Sequence, residues 1–244
     1  MKTHFNFFIL LVTAQLTLLQ LLEAAPWPGY GRSYPVHRYE QDFSHDFNYD
    51  FGVKRTFMGY EEPDFNVGLS LPSPLKDSRY FSYNLIIVIN DNEHEANPSV
   101  WGPPQTMRVY SRNINTEKGL LYFWNISTGI DRASTKKGYY RPISFSSRHW
   151  SKQFDAPMLS SVFFDGGRAL HSSLSTDDLY LMGKRRSSHG CVHVEDNRAD
   201  ELFHLIGHSG YGLVNNISKS GSPKLDKSGS NQYVFGYKTL IIIH

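Results

Sequence analysis

One cysteine, Cys191, stands in a chain of 244 residues. A lone thiol forms no intramolecular disulfide, so whatever this chain folds into must be held by a packed core alone. The composition permits that. Hydrophobic residues make up 40% and charged residues 20%, and a chain of this length buries most of the surface it exposes when unfolded. Fifteen Tyr and 16 Phe lean the chain toward pleated, half-buried β-structure. The formal net charge of +2 gives no electrostatic footprint for nucleic acid.

Residues 1–24 read as an export signal. Lys2 supplies a short positive region, 5–22 is a mostly apolar run, and Ala24-Ala25-Pro26 offers small residues for cleavage. Asn6, Thr13, Gln15, Thr17 and Gln20 interrupt the run and argue against a retained membrane span. No second segment is long and apolar enough to span a bilayer, and no cysteine near the cleavage point is placed to carry a lipid. In an oxidising compartment cysteines usually occur as pairs. Cys191 is therefore either a small buried hydrophobe or a working thiol.

Residues 25–82 form an irregular, aromatic-rich extension with no sustained period, as in Arg38-Tyr39-Glu40-Gln41-Asp42-Phe43. Regular structure is predicted over 83–217. Leu85-Ile86-Ile87-Val88-Ile89 reads as a buried strand, with further strands at 106–110, 120–126 and 159–164. Asp165-Gly166-Gly167 is a hairpin turn leading into a strand at 168–171. Ala199, Leu202, Phe203 and Ile206 share one face of a helix predicted over 196–206, with Gly207 at its end. A strand is predicted at 212–217. Residues 218–244 are read as a Ser/Lys/Gly loop and one C-terminal strand over 233–243.

The chemistry concentrates in Ser187-Ser188-His189-Gly190-Cys191-Val192-His193, just before the predicted helix. A thiol at a helix N-terminus feels unpaired N–H groups and a positive dipole end, both of which favour thiolate. Gly190 allows close approach of a substrate, and the backbone N–H groups of Gly190 and Cys191 are candidates for an oxyanion hole. The candidate bases are His171, which ends a predicted strand, and His189 and His193, which share a face with Cys191 if the local chain is extended.

His171-Ser172, then fifteen residues, then Ser188-His189-Gly190-Cys191-Val192 resembles the signature of the L,D-transpeptidase (YkuD-type) catalytic domain. Asn125-Ile126-Ser127-Thr128-Gly129 with Lys137-Gly138-Tyr139-Tyr140, the stretch 156–171 and the helix at 196–202 resemble further parts of that family, in the same order. The likeness covers roughly 84–217. It implies a mainly β fold, of sandwich or barrel type with one or two short helices. It also implies a secreted enzyme of the periplasm or cell wall that joins peptidoglycan stem peptides through a cysteine acyl-enzyme, with no cofactor and no metal. By the same resemblance Cys191 is the nucleophile and His171 the general base and acid. The Ser172 carbonyl orients His171, His189 and Gly190 flank the nucleophile, and Ser188 and His193 lie on the substrate side. Two departures stand out. The family usually carries Arg or Asn where this chain has His193, and its Thr-Pro-Thr-Gly type turn is here Ala133-Ser134-Thr135-Lys136-Lys137-Gly138.

Other readings of the same residues are an L,D-carboxypeptidase or amidase using the same pair, and a catalytically silent wall-binding module. A zinc site drawn from His171, His189, Cys191 and His193, or from His204 and His208, lacks the usual paired spacing, and Gly207 is expected to break the second set. Lys184-Arg185-Arg186 reads as a solvated loop or as an attractor of stem carboxylates, and Asp177-Asp178 as a loop or helix cap. Oligomeric state is left open.

Overall fold

The apolar run at 85–89 becomes β1 (Leu85–Asn90), buried along its whole length. A strand covered on both faces belongs inside a sheet. In the computed structural model, which describes residues 63–93, 101–114, 117–173 and 176–244, β1 pairs antiparallel with β2 (Thr106–Ser111) and parallel with β11 (Thr239–Ile243). With β3 (Leu120–Asn125) and β4 (Gly138–Tyr140) they form a five-stranded sheet in the order β3-β2-β1-β11-β4. A second sheet runs β5 (Ser144–Ser151), β6 (Ala156–Asp165), β7 (Arg168–Ser172), β8 (Val192–Val194). A two-stranded ribbon joins β9 (Tyr211–Asn215) to β10 (Tyr233–Tyr237). Among the described residues the α-helices are α1 (Phe65–Ser70), α2 (Thr176–Leu181) and α3 (Asp196–His208).

The alternation of β1 and β11 sends side chains into two cores. Leu85, Ile87, Ile89, Ile241 and Ile243 meet Val162, Phe164, Leu170, Val192 and Val194 of the second sheet and Ala199, Leu202, Phe203 and Ile206 of α3. Ile86, Val88, Leu240 and Ile242 pack instead with Tyr80, Tyr83, Val214 and Ile217. Each such aliphatic side chain contributes roughly 1.5–3 kcal/mol by burial. The four α3 residues are the ones whose spacing predicted a common face.

The fold is mainly β with few short helices, and its sheets are open, so of the sandwich and barrel expectations the closed barrel falls away. The strand expected over 233–243 is two strands that separate at Lys238 and enter different sheets. The Lys238 N–H donates to Gly210 O, and its carbonyl accepts from the Asn84 and Leu85 N–H groups. The C-terminal strand, expected to lie apart from the 83–217 domain, sits inside the larger sheet between β1 and β4. β4, β5 and β8 were not anticipated. β4 and β8 have three residues each, too few for a period, and β5 is a half-exposed edge strand with a polar sequence, SFSSRHWS. Within the extension, the described residues from 63 onward include α1 and two 3-10 turns, Pro74–Lys76 and Ser78–Tyr80, the latter delivering Tyr80 to the core. The rest of the extension and the export signal lie outside the described residues. Among the described residues no helix is long and apolar enough to cross a membrane.

Candidate active site

β7 and β8 run parallel with Leu170 opposite Val192, His171 opposite His193 and Ser172 opposite Val194. Leu170, Val192 and Val194 point into the core. Alternation therefore places His171, His193 and Cys191 together on the other face of the sheet, with Cys191 one pleat before the cross-strand partner of His171. Strand register, rather than nearness in sequence, brings the segment that carries the thiol alongside the strand that carries the imidazole.

His171 is buried, and its Nδ1 lies 2.6 Å from the carbonyl oxygen of Ser172. A carbonyl only accepts, so Nδ1 carries the proton and donates it there, which leaves the lone pair on Nε2. Burial, reinforced by the neighbouring His193 and only partly opposed by the Ser172 carbonyl, pushes the His171 pKa down to about 3. The His193 ring stands edge-on to His171 at 4.9 Å between centroids. Its Nδ1 is 3.3 Å from Asp178 Oδ2, and Asp178 also accepts from Ser173 Oγ at 2.7 Å. Burial alone would raise the Asp178 carboxyl, but the hydrogen bond and charge of His193, with the Ser173 and Ser187 hydroxyls, bring it down to about 2.

Cys191 is half-buried and free. The expected helix-dipole activation does not occur, because β8 intervenes between Cys191 and α3, which begins only at Asp196. Burial pushes the thiol up, against the opposing pull of the Ala169 N–H and the Arg168 charge. The resting pair is thus neutral thiol and neutral imidazole.

The backbone around the thiol is clamped from several sides. Gly190 has φ +112°, in the region that favours glycine. Its N–H donates to Ser188 Oγ at 3.1 Å, and that hydroxyl donates to Cys191 O at 2.6 Å. The Gly190 amide is therefore already engaged, and of the two expected oxyanion donors it is the Cys191 N–H that stays a candidate. Buried Thr135 places Oγ1 3.1 Å from Gly190 O and 3.2 Å from Cys191 O while accepting the Gly129 N–H at 2.8 Å. A Cβ on Gly129 would sit 2.3 Å from Ala133 O and 2.8 Å from the Gly190 α-carbon, so only glycine lets these segments meet. Gln105, at φ 51° and wholly buried, accepts the Thr128 N–H at 2.8 Å and donates to Asp91 O at 2.8 Å.

His189 turns outward, exposed, and stacks on Phe154 at 4.7 Å. Arg186 ties the approach to the site: Nη1 donates to Asp131 Oδ1 at 2.6 Å, Nε to Asp91 O at 2.7 Å, and the backbone N–H to Glu93 Oε1 at 3.0 Å. The Lys184 ammonium lies over the Tyr180 ring at 3.9 Å. α3 runs through Gly207 to His208, so the expected break there does not happen, and His208 Nδ1 bonds His204 O at 2.7 Å. Among the described residues no three His, Cys, Asp or Glu side chains converge as a metal site.

Asp178, Thr135, Gln105 and Arg168 were missed by sequence reasoning. Asp178 was taken for a cap, Thr135 lay in a turn that departs from the family pattern, and Gln105 and Arg168 carried no signal in a single sequence.

The family model of the L,D-transpeptidase catalytic domain (YkuD) matches residues 86–243. The chain belongs to this family. A search of curated protein sequences gave no match. Solved structures it is similar to include an L,D-transpeptidase in complex with imipenem (14% identity, TM-score 0.44, covering 66% of this chain and 59% of that one). Others are an L,D-transpeptidase from Mycobacterium smegmatis (13%, 0.43, 66% and 59%) and one from Mycobacterium tuberculosis H37Rv (14%, 0.41, 66% and 58%). The chain thus spans under two thirds of the length of these relatives.

Proposed function

We propose that this chain is an exported peptidoglycan L,D-transpeptidase that works through a Cys191 acyl-enzyme. The observation that carries the reading is the placement of Cys191 and His171 on one sheet face, with His171 Nδ1 tied to the Ser172 carbonyl so that Nε2 is the free base. Because burial keeps both groups neutral at rest, the proton moves as the sulfur attacks. His171 Nε2 takes the thiol proton while Sγ bonds the carbonyl carbon of a stem peptide, and the oxyanion is met by the Cys191 N–H. Collapse breaks the bond to the terminal D-amino acid, whose nitrogen receives the proton from His171. The amine of a second stem then attacks the thioester, passes its proton to His171 and regenerates the thiol, leaving a crosslink.

Intact mass after exposure to a carbapenem tests the acyl-enzyme. One adduct is expected on the wild-type chain and none on Cys191→Ala, with acylation slowed about a hundredfold or more in His171→Asn. A folded wild-type protein that takes no adduct rejects the reading. Composition of digested cell wall then separates transfer, seen as new crosslinks, from hydrolysis, seen as shortened stems.

A further inference from the structure

Arg168 begins β7, three residues before His171. Its Nε lies 3.0 Å from where a Cβ on Gly190 would sit, against the residue that precedes Cys191. Nη1 donates to Asp165 Oδ2 at 3.2 Å, whereas Nε is buried and makes no hydrogen bond. The side chain is still 29% exposed. Asp165 is shared. Lys219 Nζ, on a 66% exposed side chain, donates to Asp165 Oδ1 at 2.8 Å and lies over the Tyr140 ring at 5.1 Å. Burial would raise the Asp165 carboxyl, but the Lys219 hydrogen bond and the charges of Lys219, Arg168 and Lys136 outweigh it and hold the carboxyl low. One carboxylate therefore pairs with two cations, Arg168 and Lys219, and the corner carries surplus positive charge beside the segment that holds Cys191.

We propose that Arg168, with Lys219 on the same Asp165 carboxylate, is a carboxylate-docking corner that selects acyl substrates bearing an anionic group close to the bond attacked by Cys191. Nε is buried, so a substrate carboxylate would meet the guanidinium at the part of the side chain that stays exposed, and a planar guanidinium is suited to a carboxylate. A stem peptide cleaved ahead of its terminal D-amino acid presents a carboxylate one residue from the reacting carbonyl. The inference rests on the reading of Cys191 as nucleophile.

The test compares second-order alkylation of Cys191 by iodoacetate, which carries a carboxylate, with alkylation by neutral iodoacetamide, using the full chain at low and high salt. A purely structural loss shifts both rates alike and cancels in their ratio. The iodoacetate-to-iodoacetamide ratio is expected to fall about three- to tenfold in Arg168→Gln and about twofold in Lys219→Gln, to survive in Arg168→Lys, and to decline with salt in the wild type. A ratio unchanged in both neutralised variants overturns the proposal. If Arg168→Gln fails to fold, an unchanged ratio in Lys219→Gln together with a salt-independent wild type overturns it equally. Folded wild-type protein labelled by neither reagent overturns the nucleophile itself, an outcome distinct from labelling by both with no charge preference.

Discussion

His171 is neutral by burial down to about pH 3, while the same residue in an unfolded chain titrates near 6.5. Between those values the unfolded state binds a proton that the native state refuses, so stability is full above about pH 6.5 and is lost as pH falls toward 3. Thermal melts should show Tm dropping across that window in the wild type and a shallower drop in His171→Asn. The raised thiol predicts that alkylation of Cys191 by iodoacetamide is still accelerating at about pH 10, where an ordinary thiol is close to its plateau. Cys191 and His171 stand out in sequence because the family motif fixes the position of both. Asp178 was not, because it meets His193 only through the pairing of β7 with β8, which no local pattern discloses. The activation by a helix dipole was misread for a related reason: three residues of strand fit unnoticed between a cysteine and a helix.

At the scale of elements, the loop that carries Cys191 is shaped by a turn that belongs to another part of the chain. Thr135→Val removes the hydroxyl that bridges Gly129 to the Gly190 and Cys191 carbonyls while keeping the volume. Carbapenem acylation should slow about tenfold or more, and Thr135→Ser should restore it. Gly129→Ala should be far worse, since the clash is with backbone oxygen, and loss of both Tm and acylation is expected. Elements with a long apolar run or a clear helical face were readable in sequence: β1, β2, β3, β6, β7 and α3. The polar edge strand β5 was not, nor was the partition of 233–243 into β10 and β11, because Lys238 interrupts the apolar run without a glycine or proline to mark it.

For the molecule as a whole, β11 supplies five buried residues to the centre of the larger sheet. Ile241→Ala should cost about 2–5 kcal/mol, measurable as a shift in the denaturant midpoint. Deletion of 239–244 should prevent folding, seen as loss of near-ultraviolet circular dichroism. The parallel seam between β1 and β11 also has a kinetic meaning. It joins segments roughly 150 residues apart, so its loop-closure entropy must be overcome before its contacts repay it. A chain made from its N-terminus cannot close this seam until β11 has been added. Refolding from denaturant should be correspondingly slow, and a thiol reagent added during that interval should reach Cys191 faster than in the finished protein.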